Sequence, residues 1–563
     1  MKSGQDVMIK PMQQPLLDLI KAKLMLFLGS IALGWGANVG AKPQFVDITL
    51  QAGVDFKHVD GRSGQKFLLE TLGCGVSLLD FNGDGYLDIY CVNADVLPGC
   101  EREKPIYNAL YRNNGDMTFT EVARHAGVLG NGYGVGCCIG DYDNDGDADI
   151  YISYFGPNQL YRNNGDDTFS DVTQQAGVGD PRWGTSCSFA DYNNDGYLDL
   201  YVANYVKFQL ADNPKCAKGD FPTYCNPEIF PTSSGVLYRN NGDGTFTDVS
   251  QSSGVEKAGK GLGIVWGDYD NDADLDLFVA NDLMQDFLFR NEGNGMFTEL
   301  SILTGVAFNE DGLALNGMGT SFGDYDNDGN LDLIVTNFQD QPNLLFHNDG
   351  DGIFSDVTFA SGMGEKSLAH LAWGVDFFDY DNDADLDIFV ANGHIDNNIE
   401  DFSEIGRYEQ SNQLFENKGR NIFEDVSHQS GAGLQLLKVS RGMAHGDLDN
   451  DGDLDLVITN LNQRLDILRN DGGNQNRWLA IKCIGRKSNR DAIGTRIRVR
   501  TAETIQIREI RSGGSYLCQS DLRAYFGLGA AQMAEIDIQW PSGLRQSFHK
   551  VESNQLLVVE EEN

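Results

Sequence analysis

The stretch Asp141-Tyr-Asp-Asn-Asp-Gly-Asp-Ala-Asp149 decides the fold, because it occurs seven times. Further copies begin at Asp80, Asp191, Asp268, Asp324, Asp379 and Asp447, each reading D-x-[DN]-x-[DN]-[GA]-x-x-D. Carboxylates at alternate positions fold inward around a hard cation, and oxygen ligands on a flexible loop suit Ca2+ better than the stricter Mg2+. In the second copy Asp141, Asp143 and Asp145 are expected to ligate through side chains, Asp147 through its carbonyl, and Asp149 to close the shell. Gly146 falls where the loop must turn sharply, at a positive φ that glycine tolerates best.

The same positions define the other candidate sites. They are Asp80, Asn82, Asp84, Tyr86 and Asp88; Asp191, Asn193, Asp195, Tyr197 and Asp199; and Asp268, Asp270, Asp272, Asp274 and Asp276. Asp324, Asp326, Asp328, Asn330 and Asp332 come next, then Asp379, Asp381, Asp383, Asp385 and Asp387, then Asp447, Asp449, Asp451, Asp453 and Asp455. An EF-hand would place a Glu at its twelfth position between helices. Here the closing acid is the ninth residue, and the segment after it, such as Leu198-Asp-Leu-Tyr-Val-Ala203, alternates like a strand. The starts lie 61, 50, 77, 56, 55 and 68 residues apart, which excludes a nonapeptide β-helix and gives each loop a unit of blade size.

Two other phrases also number seven. Phe45-Val-Asp-Ile-Thr49 returns at Phe119, Phe169, Phe246, Phe297, Phe354 and Phe423; Leu110-Tyr-Arg-Asn-Asn-Gly115 returns near Leu160, Leu237, Leu288, Leu345, Leu414 and Ile467. Each repeat therefore holds four short strands: one entering the acidic loop, one leaving it, and two joined by an Asn-Gly or Asp-Gly turn. Four-stranded repeats of this size predict an all-β fold, a seven-bladed β-propeller. The last repeat lacks its Phe strand while the chain opens with a spare one, so Phe45–Thr49 is expected to complete the seventh blade and leave no open sheet edge. Loops and turns then share one face. The long insertions at 93–108, 204–235 and 392–412 fall on the other, where a recognition surface is expected.

Of 563 residues, 83 are acidic and 42 are Lys or Arg, a net charge of −41 that argues against nucleic acid as a partner. The seven loops hold 30 aspartates, and up to seven Ca2+ ions would bring the chain to −27. Residues 1–41 read as an export signal: Lys21 and Lys23 precede an apolar run from Leu24 to Trp35, and Val39-Gly-Ala41 fits a cleavage site. Asp6 and Asp18 make an uncleaved anchor the alternative; after cleavage no span remains. The expected location is secreted, periplasmic or on the cell surface. In that oxidising setting Cys216–Cys225 and Cys483–Cys518 are the disulfide candidates, whereas Cys137, Cys138 and Cys187 suit a core. The propeller is expected over 42–475 and a second small all-β domain over 476–563. Residues 42–476 carry a net −46 and residues 477–563 a net +3. The alternating Arg496-Ile-Arg-Val-Arg500 stripe either docks on the acidic repeats or forms a wet strand face.

The loops followed by Leu-Asp-Leu resemble the FG-GAP (VCBS-type) repeats of integrin α-subunit propellers. The tail resembles the ASPIC/UnbV domain through Gly485-Arg-Lys-Ser-Asn-Arg-Asp-Ala-Ile-Gly494, Gly513-Gly-Ser-Tyr516, Phe526-Gly-Leu-Gly529 and Trp540-Pro-Ser-Gly543. With Tyr224-Cys-Asn-Pro227 and Asn392-Gly-His-Ile395 the combination is similar to the cartilage acidic protein family, which has bacterial members; the lack of any N-x-[ST] sequon fits one of those. The resemblance implies a secreted or surface calcium-binding module with interaction or adhesion roles. The partner expected is an extracellular protein or a glycan. A carbohydrate-binding propeller, with exposed aromatics of 201–230 stacking on sugar, and a polysaccharide-acting enzyme are the alternatives. No HExxH pair, serine elbow or phosphate loop accompanies His370, His394 and His445, so no catalytic residue is assigned. Ala273 and Ala384 replace the loop glycine, and Asn82 and Asn193 replace an acid, which should weaken those loops.

Overall fold

A computed structural model describes residues 42–100 and 105–563; the export-signal reading of 1–41 lies outside the described residues. Lys42–Asn563 form one compact unit. Each repeat folds as a four-stranded antiparallel sheet in simple up-and-down order. The first is Val76–Leu79, Asp88–Cys91, Ala109–Asn113 and Phe119–Glu121; the second is Tyr133–Gly140, Asp149–Phe155, Gln159–Asn163 and Phe169–Asp171. Sheets opening at Gly184–Ala190, Gly261–Gly267, Thr320–Gly323 and Ala372–Phe378 share the same plan. The seventh, Ser440–Gly446, Asp455–Asn460 and Asp466–Asp471, takes its fourth strand from Gln44–Asp47, with Phe45 opposite Asn470.

The repeated aromatics make the cores between sheets. The second residue of each loop packs on the Phe of the next sheet's fourth strand: Phe81 on Phe169, Tyr142 on Phe246 and Tyr269 on Phe354, with ring centres 5.7–6.1 Å apart. Tyr380 meets Phe45 in the same way, and Leu448 shares a core with Phe119 of the first sheet. Central strands such as Asp199–Asn204 are buried on both faces, which is why they read as nearly continuous apolar runs. First strands of successive sheets pack side by side, and that of the first sheet touches those of both the second and the seventh.

The C-terminal region adds a three-stranded sheet (Ala524–Gly529, Arg477–Ile484, Gln555–Glu560) and a four-stranded one (Ile505–Glu509, Arg496–Arg500, Met533–Gln539, Arg545–Glu552). Ile481, Ile497, Phe526, Ile536 and Trp540 fill the core between them. This region sits on the acidic loops. Trp478 covers Gly452 so closely that a Cβ there would lie 1.8 Å from the indole. Arg496 reaches the carbonyl of Gly329 at 2.7 Å and the carboxylate of Asp268 at 3.5 Å, whereas Arg498 and Arg500 face outward. The arginine stripe therefore docks with one residue and wets the other two.

From the same region, residues 512–521 run in among the first strands. Gln519 pairs with the first sheet through Val76 and Leu78; the Leu517 carbonyl accepts from Cys137, and its N–H donates to Ser186 Oγ. The Ser515 carbonyl accepts from Thr320, Ser515 Oγ accepts from Val375, and Asp521 N–H donates to His445. Six of the seven sheets thus bond to one ten-residue segment. Tyr516, fully buried, lies 4.9 Å from Trp373.

On the opposite side the insertions lock onto one another. Asn398 donates to Pro222, the Tyr224 amide donates to Asp396, and Phe221 packs 5.9 Å from Phe402. A connection over 57–75 joins them: Lys66 pairs with Asp396, and Glu70 accepts from Tyr224 OH at 2.8 Å. Arg441, wholly buried, stacks 4.0 Å over Trp373 and donates to Thr71 and Gly393, tying the 57–75 connection and the 392–412 insertion to the first strands.

Candidate metal centre

In all seven loops the first aspartate accepts two N–H groups of its own loop. At Asp141 these are Asp145 N–H at 3.0 Å and Gly146 N–H at 2.7 Å. The sixth residue adopts positive φ throughout, +100° at Gly146 but also +76° at Ala273 and +86° at Ala384. The fourth residue does so too, which is where the sequence writes Asn144, Asn194, Asn271, Asn327, Asn382 and Asn450. Asparagine is among the few side chains at ease there. The fifth aspartate accepts the N–H of the seventh residue in each loop.

This wrapping aims carboxylates at one point. Ligand atoms of Asp141, Asp143 and Asp149 lie within 4.8 Å of one another, as do those of Asp268, Asp270 and Asp276, of Asp324, Asp326 and Asp332, and of Asp379, Asp381 and Asp387. In the first and third loops Asn82 and Asn193 stand at the third position and accept from Asp84 and Asp195. Seventh-position side chains turn to neighbours instead: Asp274 accepts from Asn194, Asp385 from Asn327, and Tyr86 lies against Gly115.

Burial makes these clusters costly without a cation. Asp141 is pushed up to about 8 by burial and by the neighbouring Asp491, and Asp88 to about 8 by burial. Asp191, Asp268, Asp324 and Asp447 rise to about 7, with burial again the main cause. The closing residues Asp149, Asp199, Asp276, Asp332, Asp387 and Asp455 lie well above the ordinary carboxylate range for the same reason. Asp143, Asp270 and Asp449 each keep a buried Oδ1 with no hydrogen-bond partner. Leaving such an oxygen unpaired costs more than a hydrogen bond gains, so the donor set fits a hard divalent ion.

Asparagines that the sequence reading passed over link the sites. At the end of each third strand an Asn donates its N–H to the closing aspartate of its own loop, as Asn163 does to Asp149 at 2.7 Å. Its side chain donates to the loop of the preceding sheet: Asn163 to Phe81, Asn240 to Tyr142, Asn291 to Tyr192, Asn348 to Tyr269, Asn417 to Tyr325 and Asn470 to Tyr380. Asn113 of the first sheet donates to Leu448 of the seventh at 2.8 Å. Their signal was the unvarying Asn in the Leu-Tyr-Arg-Asn phrase.

Sequence comparison places the same residues in a family. FG-GAP-like repeats match 80–152, 141–202, 227–279, 268–335 and 324–390, and the ASPIC and UnbV domain matches 485–563. The chain belongs to the FG-GAP-like repeat family. It is distantly related to cartilage acidic protein 1, with 28% identity over 334 residues to the Xenopus tropicalis protein and over 343 to that of Mus musculus. These alignments cover 58% and 59% of this chain and 48% and 49% of the relatives, so the chain spans about half the length of the curated relatives it matches. Among solved structures, an Agrocybe aegerita lectin that recognises terminal N-acetylglucosamine superposes at TM-score 0.40 and 17% identity, covering 70% of this chain and 87% of the lectin. A Bacillus licheniformis rhamnogalacturonan lyase superposes at 0.36 and 12%, covering 76% and 75%.

Within this FG-GAP repeat protein one of the two expected disulfides is corrected. Cys216 and Cys225 are bonded, but Cys483 and Cys518 are separate thiols: Cys483 belongs to the core of the C-terminal region, and Cys518 lies among the first strands beside Val76. Their spacing in sequence hid that difference. The aromatics of 201–230 are mostly turned inward, with Tyr201, Tyr205, Phe208 and Tyr224 buried and Phe221 exposed. The histidines sit apart. His394 accepts from the Asp396 amide under the insertions, while His445 pairs with Asp376 at 3.2 Å beside the C-terminal region.

Proposed function

We propose that this FG-GAP repeat protein is an exported, seven-bladed propeller held together by Ca2+, working as an interaction module for an extracellular protein. The convergence of three carboxylates in one loop after another, with buried oxygens left unpartnered, is the observation that carries it. Closure of the ring is supported by the Asn113 to Leu448 bond and by the pairing of Gln44–Asp47 with the last repeat. The Cys216–Cys225 bond favours an oxidising compartment, and Ca2+ is plentiful there.

The C-terminal region covers the loop face, which leaves the insertion face for recognition. Val96, Phe221, Ile229 and Ile405 are exposed there, on loops braced against each other. Apolar side chains presented on a rigid surface suit a protein partner. The test is crosslinking in the native extracellular fraction with wild-type protein and the triple variant F221D/I229D/I405D. Capture confined to the wild type supports the assignment; identical capture by both proteins removes it.

A further inference from the structure

We propose that the fifth loop takes a borderline divalent transition ion of the Zn2+ type on Asp326, Asp328 and His347, a nitrogen-bearing site distinct in chemistry from the all-oxygen loops. His347 lies in the third strand of its sheet, Leu344–Asn348, at the position where five sister repeats write Arg112, Arg162, Arg239, Arg290 and Arg469. In three of those repeats the guanidinium stands near the third residue of its own loop, Arg162 acting on Asp143, Arg290 on Asp270 and Arg469 on Asp449. In the fifth repeat an imidazole takes that place. One donor atom each from Asp326, Asp328 and His347 lie within 4.8 Å of one another.

The orientation of the ring sets the chemistry. Its Nδ1 is 2.9 Å from Asp349 Oδ1, and Asp349 is held in turn by Ser355 Oγ at 2.5 Å. With Nδ1–H donating to Asp349, Nε2 would be the nitrogen that offers its lone pair to an ion, the usual outer-shell support of a metal-bound histidine. Nε2 faces Asp326 Oδ2 at 3.0 Å. A lone pair set against a carboxylate needs a proton or a metal ion between them. Ca2+ and Mg2+ are served by oxygen, whereas imidazole combined with carboxylates suits Zn2+, Co2+ and their neighbours. Asp326 also belongs to the Asp324, Asp326 and Asp332 group, so its carboxylate is the link between the oxygen site and the nitrogen site. His347 and Asp326 side chains keep 18% and 19% exposure, enough for a small ion to enter from solvent.

The competing account is an imidazolium that merely replaces the arginine charge. His347→Arg separates the two, because it keeps the cation and the shape of the sister repeats and removes the nitrogen donor. Full-length wild type and H347R are titrated with Co2+ against a Ca2+-saturated background, following the visible absorption of the bound ion, and then with Zn2+. One Co2+ per chain, displaced by Zn2+ and weakened about tenfold or more in H347R, is the expected result. Equal Co2+ binding by H347R, or none by the wild type, overturns the assignment. Ca2+-dependent melting is recorded on the same samples, so that failure of the calcium reading would show separately as a flat response in both proteins.

Discussion

The two faces of the repeat array are built on opposite plans. The loop face is periodic: seven acidic loops, seven asparagine clasps and the C-terminal region laid over them, with Arg523 on the carbonyl of Asp447 and the Asp141 amide on Asp491 at 2.6 Å. The insertion face is irregular, and what order it has comes from one-off contacts such as Lys66 with Asp396 and Tyr224 with Glu70. Repetition serves cohesion here, since every loop solves the same charge problem. Irregularity would serve discrimination under the proposed interaction role, since features that do not recur are what tell one partner from another.

The largest effect should come from stripping the loop face of its ions. EDTA should lower the melting temperature sharply, with Ca2+ restoring it and Mg2+ doing so much less. A ligand at a hundredfold its dissociation constant stabilises by about 2.7 kcal/mol per site, so losing several together outweighs any single substitution. An unchanged melting curve would count against the whole contrast. Next comes the segment bonded to six sheets: Tyr516→Ala should cost about 3–5 kcal/mol in denaturant unfolding with Ca2+ present. The exposed Phe221→Ala should stay within about 0.5 kcal/mol. Similar losses at both positions would erase the difference between the faces.

Acidity sharpens the comparison further. Asp141, Asp191, Asp268, Asp324 and Asp447 titrate at about 7 to 8 in the folded chain without metal, above the ordinary carboxylate value of about 4. Groups raised in this way add stability that is complete below about pH 4 and is lost as pH climbs to about 8. EDTA-treated protein should therefore melt at a lower temperature at pH 8 than at pH 5. The Ca2+-induced gain should widen over the same interval, because protons and ions compete for the same oxygens. A gain that stays flat with pH would mean that the buried carboxylates are not the ligands. The smallest effect is local: Ala273→Gly and Ala384→Gly should each stabilise by about 1 kcal/mol, since both alanines hold φ near +80°. Thermal melts of the two variants check this.

Much of this was legible in the chain because it repeats. The loops, the Phe strand that packs on the preceding sheet's aromatic, and the transfer of Gln44–Asp47 to the last sheet all lie in phrases that recur. The features that stayed hidden occur once. Nothing in Gly513-Gly-Ser-Tyr516 announces that it enters the array, because a segment bonded to six different strands has no period of its own. The connection at 57–75 reads as an ordinary linker until Glu70 and Lys66 are seen beside the insertions. His347 stands in a column that holds arginine in five repeats and Glu416 in another, so its exchange carries no period that would mark it out.

The placement of residues 512–521 also dictates an order of assembly. A ribosome delivers that segment after all seven repeat sheets, so the strands it bonds are made before their shared partner. Until then the backbone groups it bonds on those strands lack that partner. A chain cut short of residue 512 should leave those six strands without that partner, however well the acidic loops are filled.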